Sequence, residues 1–283
     1  MKEFKFSKTV IPVIASSYDW LRWLAASLFR ENHVNYIRKE ERHCGVSILA
    51  NGPSLKSFDP ASCRSTDFCM VNSAPESELF FIVKPRYHVM VDSLYFQKPQ
   101  EKLREAFRMV SWDIDLFVPF AFRENAKKMF GENTHIRCIP VHCIGLPDSY
   151  AFRNNAYRLF KKGLAMPEVQ NVLIASIVCM INAGYHIIDV YGADHTWPND
   201  LSVTDSNVVC LLDSHFYDEG QPPMSKCLRP DGTPFSMAEF LRALANTFAA
   251  YHFLQGYAEY LGDVTITNCT RGSLIDAFPR KKL

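Results

Sequence analysis

The stretch Gly45-Val-Ser-Ile-Leu-Ala-Asn-Gly-Pro-Ser-Leu55 constrains the fold more than any other part of the chain. A short apolar run meets a turn of small residues at once, which reads as a buried strand, a tight turn and the start of a helix. Val46, Ile48 and Leu49 suit an interior strand of a parallel sheet, covered on both faces. Gly52 allows a close approach of backbone to ligand that a side chain would block. Pro53 has no N–H and suits the first helical position, so the amides after it are expected to face an anion. Asn51 and Ser54 add polar side chains at the same mouth. The turn is neither the three-glycine dinucleotide fingerprint nor a P-loop, since no Gly-Lys-Ser/Thr follows. A capped strand-to-helix turn without ligand explains the tetrapeptide as well, so the ligand class must come from elsewhere.

The rest of the chain repeats the strand-then-helix theme. Apolar runs at Asp67–Asn72, Tyr87–Asp92, Leu116–Pro119, Ile136–Ile139, Ile187–Tyr191 and Val264–Asn268 read as strands. Helical spacing is found at Pro99–Met109, Arg123–Phe130, Val169–Ala183 and Ser236–Leu261, the last opening on a Ser236/Glu239 capping box. Gly184 is placed to stop the third of these. This alternation predicts an α/β fold, a Rossmann-like, doubly wound and mostly parallel sheet. The carboxyl ends of such strands line the ligand crevice, which puts Asn51, Asn72 and Asp92 on one rim. Gly192-Ala-Asp-His-Thr-Trp197 leaves the Ile187–Tyr191 strand in the same way and brings Asp194 and His195 there. Residues 143–167, rich in Arg, Lys, Asn and aromatics, are expected to form a lid or insertion over the crevice.

Two domains of unequal size are expected: residues 1–43 as an amphipathic helical segment and residues 44–283 as a nucleotide-donor-binding domain. Tyr18–Arg42 carries Trp20, Leu21, Trp23, Leu24, Leu28 and Phe29 on one face among basic residues. It either docks on the domain, docks on a second copy to give a homo-oligomer, or lies in the plane of the inner membrane surface. No run is long enough to span a bilayer, and Thr9–Ala15 is broken by Pro12, so no secretory signal is expected. Thirty-one basic residues against 30 acidic ones give a net charge of +1, which leaves no field to recruit nucleic acid. Nine cysteines without a Cys-x-x-Cys pair argue against a disulfide framework or structural zinc, and for reduced thiols in the cytoplasm.

Acid/base chemistry points to histidine, whose imidazole titrates near neutrality. His195 follows a strand end, and His215 lies in the Asp213-Ser-His-Phe-Tyr217 cluster. Each competes with a structural reading as a hydrogen-bonded histidine. Asp113-Ile-Asp115 has the spacing of an Asp-x-Asp metal clamp, but a strand entrance with two solvated acids explains it too, and no metal ligand set is assigned.

Taken in order, the motifs are Asn51-Gly-Pro-Ser-Leu-Lys56, a strand ending in Asn72, a helix leading to Gly184-Tyr185, a strand ending in Gly192-Ala-Asp194, and Ser214-His215 followed by an aromatic. Spread from Gly45 to Arg280, they resemble the bacterial sialyltransferases of glycosyltransferase family 42 and the wider pterin-diphosphokinase-like proteins of surface-polysaccharide gene clusters. The resemblance implies nucleotide contacts at Asn51, Gly52, Pro53, Ser54 and Asn72, with Asn171 near the ribose or phosphate and Gly192 under the base or ribose. Asp92, Thr196 and Tyr217 would contact substrate. Asp194, His195, His215 and Glu219 are the catalytic candidates, and the family's histidine falls near Glu219. His215 is the preferred base. The family's Arg and Thr-Ser ahead of the long helix are replaced here by Val169-Gln-Asn-Val172, and its tyrosine after Gly-x-Asp by Thr196.

The implied activity is transfer of a glycosyl group, sialic or another ulosonic acid, from a CMP-linked donor to a glycan or glycolipid hydroxyl. A single phosphate needs no metal, so no cofactor is expected. The alternatives are pterin diphosphokinase-like chemistry, CMP-dependent phosphonate or phosphoryl transfer, and a non-catalytic scaffold. A diphosphokinase would require ATP, Mg²⁺ and convergence of acids such as Asp92, Asp194 or Asp213.

Overall fold

Alternating apolar residues form both faces of one central sheet. In the computed structural model the described residues are Leu21 and 45–281, apart from 64, 66, 99, 149–151, 213, 219–223 and 230. Apart from Leu21, the expected amphipathic segment of residues 1–43 lies outside them, as does the candidate Glu219. The strands are β1 (Val46–Leu49), β2 (Asp67–Val71), β3 (Tyr87–Val89), β4 (Ile114–Pro119), β5 (Ile136–Val141), β6 (Gly145–Leu146), β7 (Met166–Pro167), β8 (Ile187–Tyr191), β9 (Leu201–Val203), β10 (Val209–Leu211), β11 (Ser225–Lys226) and β12 (Thr265–Asn268).

Seven of them form the main sheet in the order β12-β8-β1-β2-β3-β4-β5, with every neighbouring pair parallel. Val46 and Ile48 of β1, Cys69 and Val71 of β2, and Ile188 and Val190 of β8 enter one apolar core. Leu49, Met70 and Tyr191, one residue out of phase, enter a second core on the other face. Burial on both faces is what makes these strands read as continuous apolar runs. The expected Rossmann-like, doubly wound α/β fold is therefore the fold of this chain.

The helix Val172–Asn182 buries ten of its eleven residues, because it lies between the sheet and the helix Met237–Leu261. The latter opens on the expected capping box: the Ser236 hydroxyl accepts from the Glu239 amide, and the Glu239 carboxylate accepts from the Ser236 amide. Both helices start and stop within a few residues of the sequence-based bounds.

Three local features differ from the sequence-based reading. The turn after β1 gives only a five-residue 3₁₀ segment, Pro53–Ser57. Asp59, held extended before Pro60, cannot continue a helix, because a residue preceding proline is pushed out of the α region. Secondly, β9, β10 and β11 make a small antiparallel sheet, its first turn passing through Asn207 at φ 58°. Thirdly, within residues 143–167 the strands β6 and β7 pair parallel and flank the helix Arg153–Lys161. That helix buries Ala156, Tyr157 and Phe160, and the Tyr157 ring lies 5.3 Å from Phe253 and 5.5 Å from Tyr257. Its apolar face fixes it to the long helix, and none of these residues lines the crevice described next.

Asp113 and Asp115 are paired with their strand neighbours. His135 Nδ1 lies 2.9 Å from Asp113 Oδ1, and Arg137 donates twice to Asp115, at 2.6 and 2.7 Å.

Candidate active site

The sheet order reverses between β1 and β8: the chain runs outward from β1 through β5 on one side, then returns to add β8 and β12 on the other. At such a switch point the loops leaving adjacent strands part company and leave a crevice at the carboxyl ends. A cleft of about 400 Å³ occupies that position. Its walls come from Ala50–Pro53 after β1, Val71 and Asn72 at the end of β2, Gly192 and Asp194–Trp197 after β8, Asn171 and Val172 at a helix start, and Asp200, Leu212, Ser214 and His215.

The two loops at the switch point are locked together. The Gly52 amide donates to the Gly192 carbonyl at 2.8 Å, and the Ala50 amide to the Tyr191 carbonyl at 2.9 Å. Asp194 accepts from the Ser54 hydroxyl at 2.8 Å and from the Ser54 amide at 3.3 and 3.4 Å. The amide expected to greet a phosphate is thus already turned to a carboxylate of the same chain. Burial raises the Asp194 pKa, while the hydrogen bonds from Ser54 act the other way. Gly52 is needed for this contact: a Cβ there would stand 2.0 Å from Asp194 Oδ2 and 2.5 Å from the Gly192 oxygen.

A buried network holds the Gly192–His195 loop from behind. The Thr270 hydroxyl accepts from the Ala193 amide at 3.0 Å, and Ser273 Oγ donates to the Ala193 carbonyl at 2.7 Å. Asn268 Nδ2 donates to Ser273 Oγ at 3.0 Å, and the Leu274 amide reaches the Asp194 carbonyl at 3.0 Å. The small polar residues after β12 therefore position the loop of Asp194.

Two amide side chains in the cleft are under-satisfied. Asn51 Nδ2 donates to the Val71 carbonyl at a long 3.4 Å. The Oδ1 atoms of Asn51 and Asn72 are buried without a hydrogen-bond partner among the described residues. A buried acceptor left unpaired costs about 1–3 kcal/mol, so a ligand that brings N–H or O–H groups to this wall recovers that energy. Asn72 also takes a left-handed backbone, φ 50°, and its carbonyl accepts from His88 Nε2 at 2.9 Å. Asn171 lines the cleft as a helix N-cap, its Oδ1 accepting from the Leu173 amide at 2.8 Å.

The two histidines differ in kind. His195 is 7% exposed, at φ 52°, with its ring 4.2 Å from Trp197 and 5.3 Å from Tyr251. Burial pushes its pKa down to about 3. His215 is half-buried on the opposite lip and stacks on Tyr217 at 5.1 Å. Its loop is tied to the Asn51 turn, since the Phe216 amide donates to the Asn51 carbonyl at 2.9 Å. Asp218 Oδ2 accepts from the His215 amide at 2.6 Å and lies 3.6 Å from its Nδ1. Lys56 donates to the Asp218 carbonyl at 3.1 Å and pins this loop to the first turn.

Of the residues singled out from sequence, Asn51, Gly52, Pro53, Asn72, Asn171, Gly192, Asp194, His195, Thr196 and His215 line the cleft. Ser54 supports it through Asp194, and Tyr217 through His215. Asp92 does not reach it: its carboxylate turns back to accept from the Leu94 amide at 2.9 Å. The strand β3 ends at Val89, so Asp92 stands beyond the rim that the strand-end rule assigned it. Asp200, Asp218 and Tyr251 were missed. Asp200 accepts from the Thr196 hydroxyl at 3.1 Å, and nothing in its local sequence marks it. Among the described residues no group of three His, Cys, Asp or Glu side chains is placed to hold a metal ion. None of those residues forms a helix long and apolar enough to cross a membrane.

No family model matches the chain, and no curated protein does. Among solved structures, the crystal structure of a point variant of the sialyltransferase CST-II in complex with CMP is similar in fold, with a TM-score of 0.45 and 14% identity over 84% of this chain and 85% of that one. A likeness at this level fixes neither substrate nor residue roles.

Proposed function

We propose that this chain is a transferase of the glycosyltransferase kind, which binds a CMP-linked donor in the switch-point cleft and passes its glycosyl group, a sialic or other ulosonic acid, to a glycan or glycolipid hydroxyl. The observation that carries this reading is the pair of amide oxygens, Asn51 and Asn72, without a hydrogen-bond partner among the described residues, on the cleft wall where an α/β sheet holds its ligands. The order of motifs from Gly45 to Arg280 supports it independently. In this reading the amide wall takes the hydrogen-bond donors of the nucleoside, and the lip opposite presents His215 to the acceptor hydroxyl. Proton removal from the acceptor as the donor bond breaks is the main chemical task, and holding the two partners in register supplies much of the rest. Cytoplasmic placement at the inner membrane face, through the aromatic and basic stretch 18–42, belongs to the same proposal.

Calorimetric titration with CMP, CDP, UDP and GDP tests it. CMP or CDP is expected to bind, and Asn51→Ala to weaken binding by roughly tenfold, the equivalent of one hydrogen bond of about 1.4 kcal/mol. Absence of binding by every nucleotide would sink the reading.

A further inference from the structure

At the opposite end of the sheet from the cleft, beside the residues that lead into β8 and β12, lies a second cavity of about 440 Å³. Three helices end at it: Arg153–Lys161, Val172–Asn182 and Met237–Leu261 each place their final residue on its wall. A helix carries about half a negative charge at its carboxyl end, so three such ends together favour a cation. Asp263 adds a carboxylate to the same wall and pairs there with His186 Nδ1 at 3.1 Å. The Lys161 ammonium works against this, but its residue is exposed and its charge is screened by solvent. Tyr257 lines the cavity one turn before Leu261; it is fully buried, and its hydroxyl has no hydrogen-bond partner among the described residues. Burial raises its pKa, so the hydroxyl stays a neutral phenol with lone pairs to offer. Asn182 spends its Nδ2 on the Phe160 carbonyl at 3.1 Å, which leaves Oδ1 as the polar atom it presents. A buried hydroxyl left unpaired is costly, and a ligand that brings an N–H to this wall removes the cost.

We infer that this cavity is a binding site for a small organic cation, an ammonium group on a compact apolar body. The ammonium donates to the Tyr257 hydroxyl oxygen and Asn182 Oδ1, and the body packs on Ile181, Leu261 and Val264, the apolar part of the wall. The volume suits a molecule of that size, since ligand pockets start at about 300 Å³. The site does not rest on the transferase reading, and it is opposite in sign to the cleft. The helix Val172–Asn182 joins the two: its amino end, capped by Asn171, faces the cleft, and its carboxyl end faces this cavity. One helix dipole thus favours an anion at the first site and a cation at the second.

Titration of the full chain with benzylammonium and with benzoate, probes of similar shape and opposite charge, tests it by amide NMR. Benzylammonium is expected to bind saturably with a Kd of about 1 mM, in keeping with so small a ligand, and to shift the amides of Asn182, Gly184 and Val264; benzoate is expected to shift none of them. Tyr257→Phe is expected to weaken benzylammonium about tenfold, the loss of one hydrogen bond, while the urea midpoint stays at or above the parent value because the deleted hydroxyl has no partner. Asp263→Lys, at an exposed position outside the core, is expected to weaken benzylammonium several-fold and to admit benzoate. Equal binding of the two probes, binding of benzoate alone, or no saturation by benzylammonium well above the millimolar range overturns the inference. So do shifts confined to the cleft, and so does a lower urea midpoint in Tyr257→Phe, which would mean that the hydroxyl is already bonded within the fold.

Discussion

His215→Ala is expected to lower turnover of a CMP-linked donor by about 10²- to 10⁴-fold while nucleotide affinity stays within a few fold, the usual cost of removing a general base. The geometry separates His215 from its rival. His195 is buried, its pKa is pushed down to about 3, and its Nε2 is occupied by Tyr251. A base that weak takes little from a hydroxyl at neutral pH. His215 is half-buried at the lip, its loop is fastened to the Asn51 turn, and Asp218 stands beside its Nδ1 side. Asp218→Asn is expected to give a smaller loss than His215→Ala, because it removes a charge but leaves an acceptor for the His215 amide. Steady-state kinetics of both variants, with calorimetric affinity for CMP alongside, reads these effects. Turnover at the parent rate in His215→Ala ends the assignment.

The second large effect is on stability. His88 and His195 are both buried, and burial drives each pKa from about 6.5 in the unfolded chain to about 3. For His88 the hydrogen bond to the Asn72 carbonyl opposes the shift only in part. An unfolded chain therefore binds protons that the native one refuses between pH 6.5 and pH 3, and stability falls as the pH drops through that window. Each histidine contributes about 1.36 kcal/mol per pH unit there, so from pH 7 to pH 5 the pair costs on the order of 4 kcal/mol. Urea titrations at pH 7, 6 and 5 should show that loss. Equal stability at pH 7 and pH 5 would mean that neither ring is held neutral. The effect passes through the site, because Asn72 and His195 both line the cleft.

How much of this was legible in the sequence depends on the range of the interaction. Ile187–Tyr191 lies between Gly184 and Gly192, both at positive φ, and its strand matches the sequence-based bounds residue for residue. The strand-end rule then brought Asn51, Asn72, Asp194 and His195 to one crevice, since it needs only strand order and polarity. It failed at Asp92, where the strand stops early and the carboxylate caps the next turn. What could not be read is chemistry between distant residues. Ser54 and Asp194 are 140 positions apart, and their contact turns an expected anion site into an internal clamp. His195 and Tyr251 are 56 apart, and Tyr251 sits in an apolar helix face that looks like any core position. Residues 143–167 misled for a simpler reason: their polar composition suggests a lid, but Tyr157 and Phe160 anchor the segment to the long helix.

The central claim is that the donor's nucleotide occupies the switch-point cleft. A co-crystal structure with an inert CMP-sugar analogue tests it most directly, because the described part of the molecule offers a second cavity of similar size, about 440 Å³, at the amino ends of β8 and β12 beside Tyr185 and His186. The account predicts the nucleoside between the Gly52 and Gly192 loops, with hydrogen bonds to Asn51 Oδ1 and Asn72 Oδ1 and the sugar toward His215. An analogue seated in the second cavity, or one that leaves both amide oxygens unpaired, would contradict it.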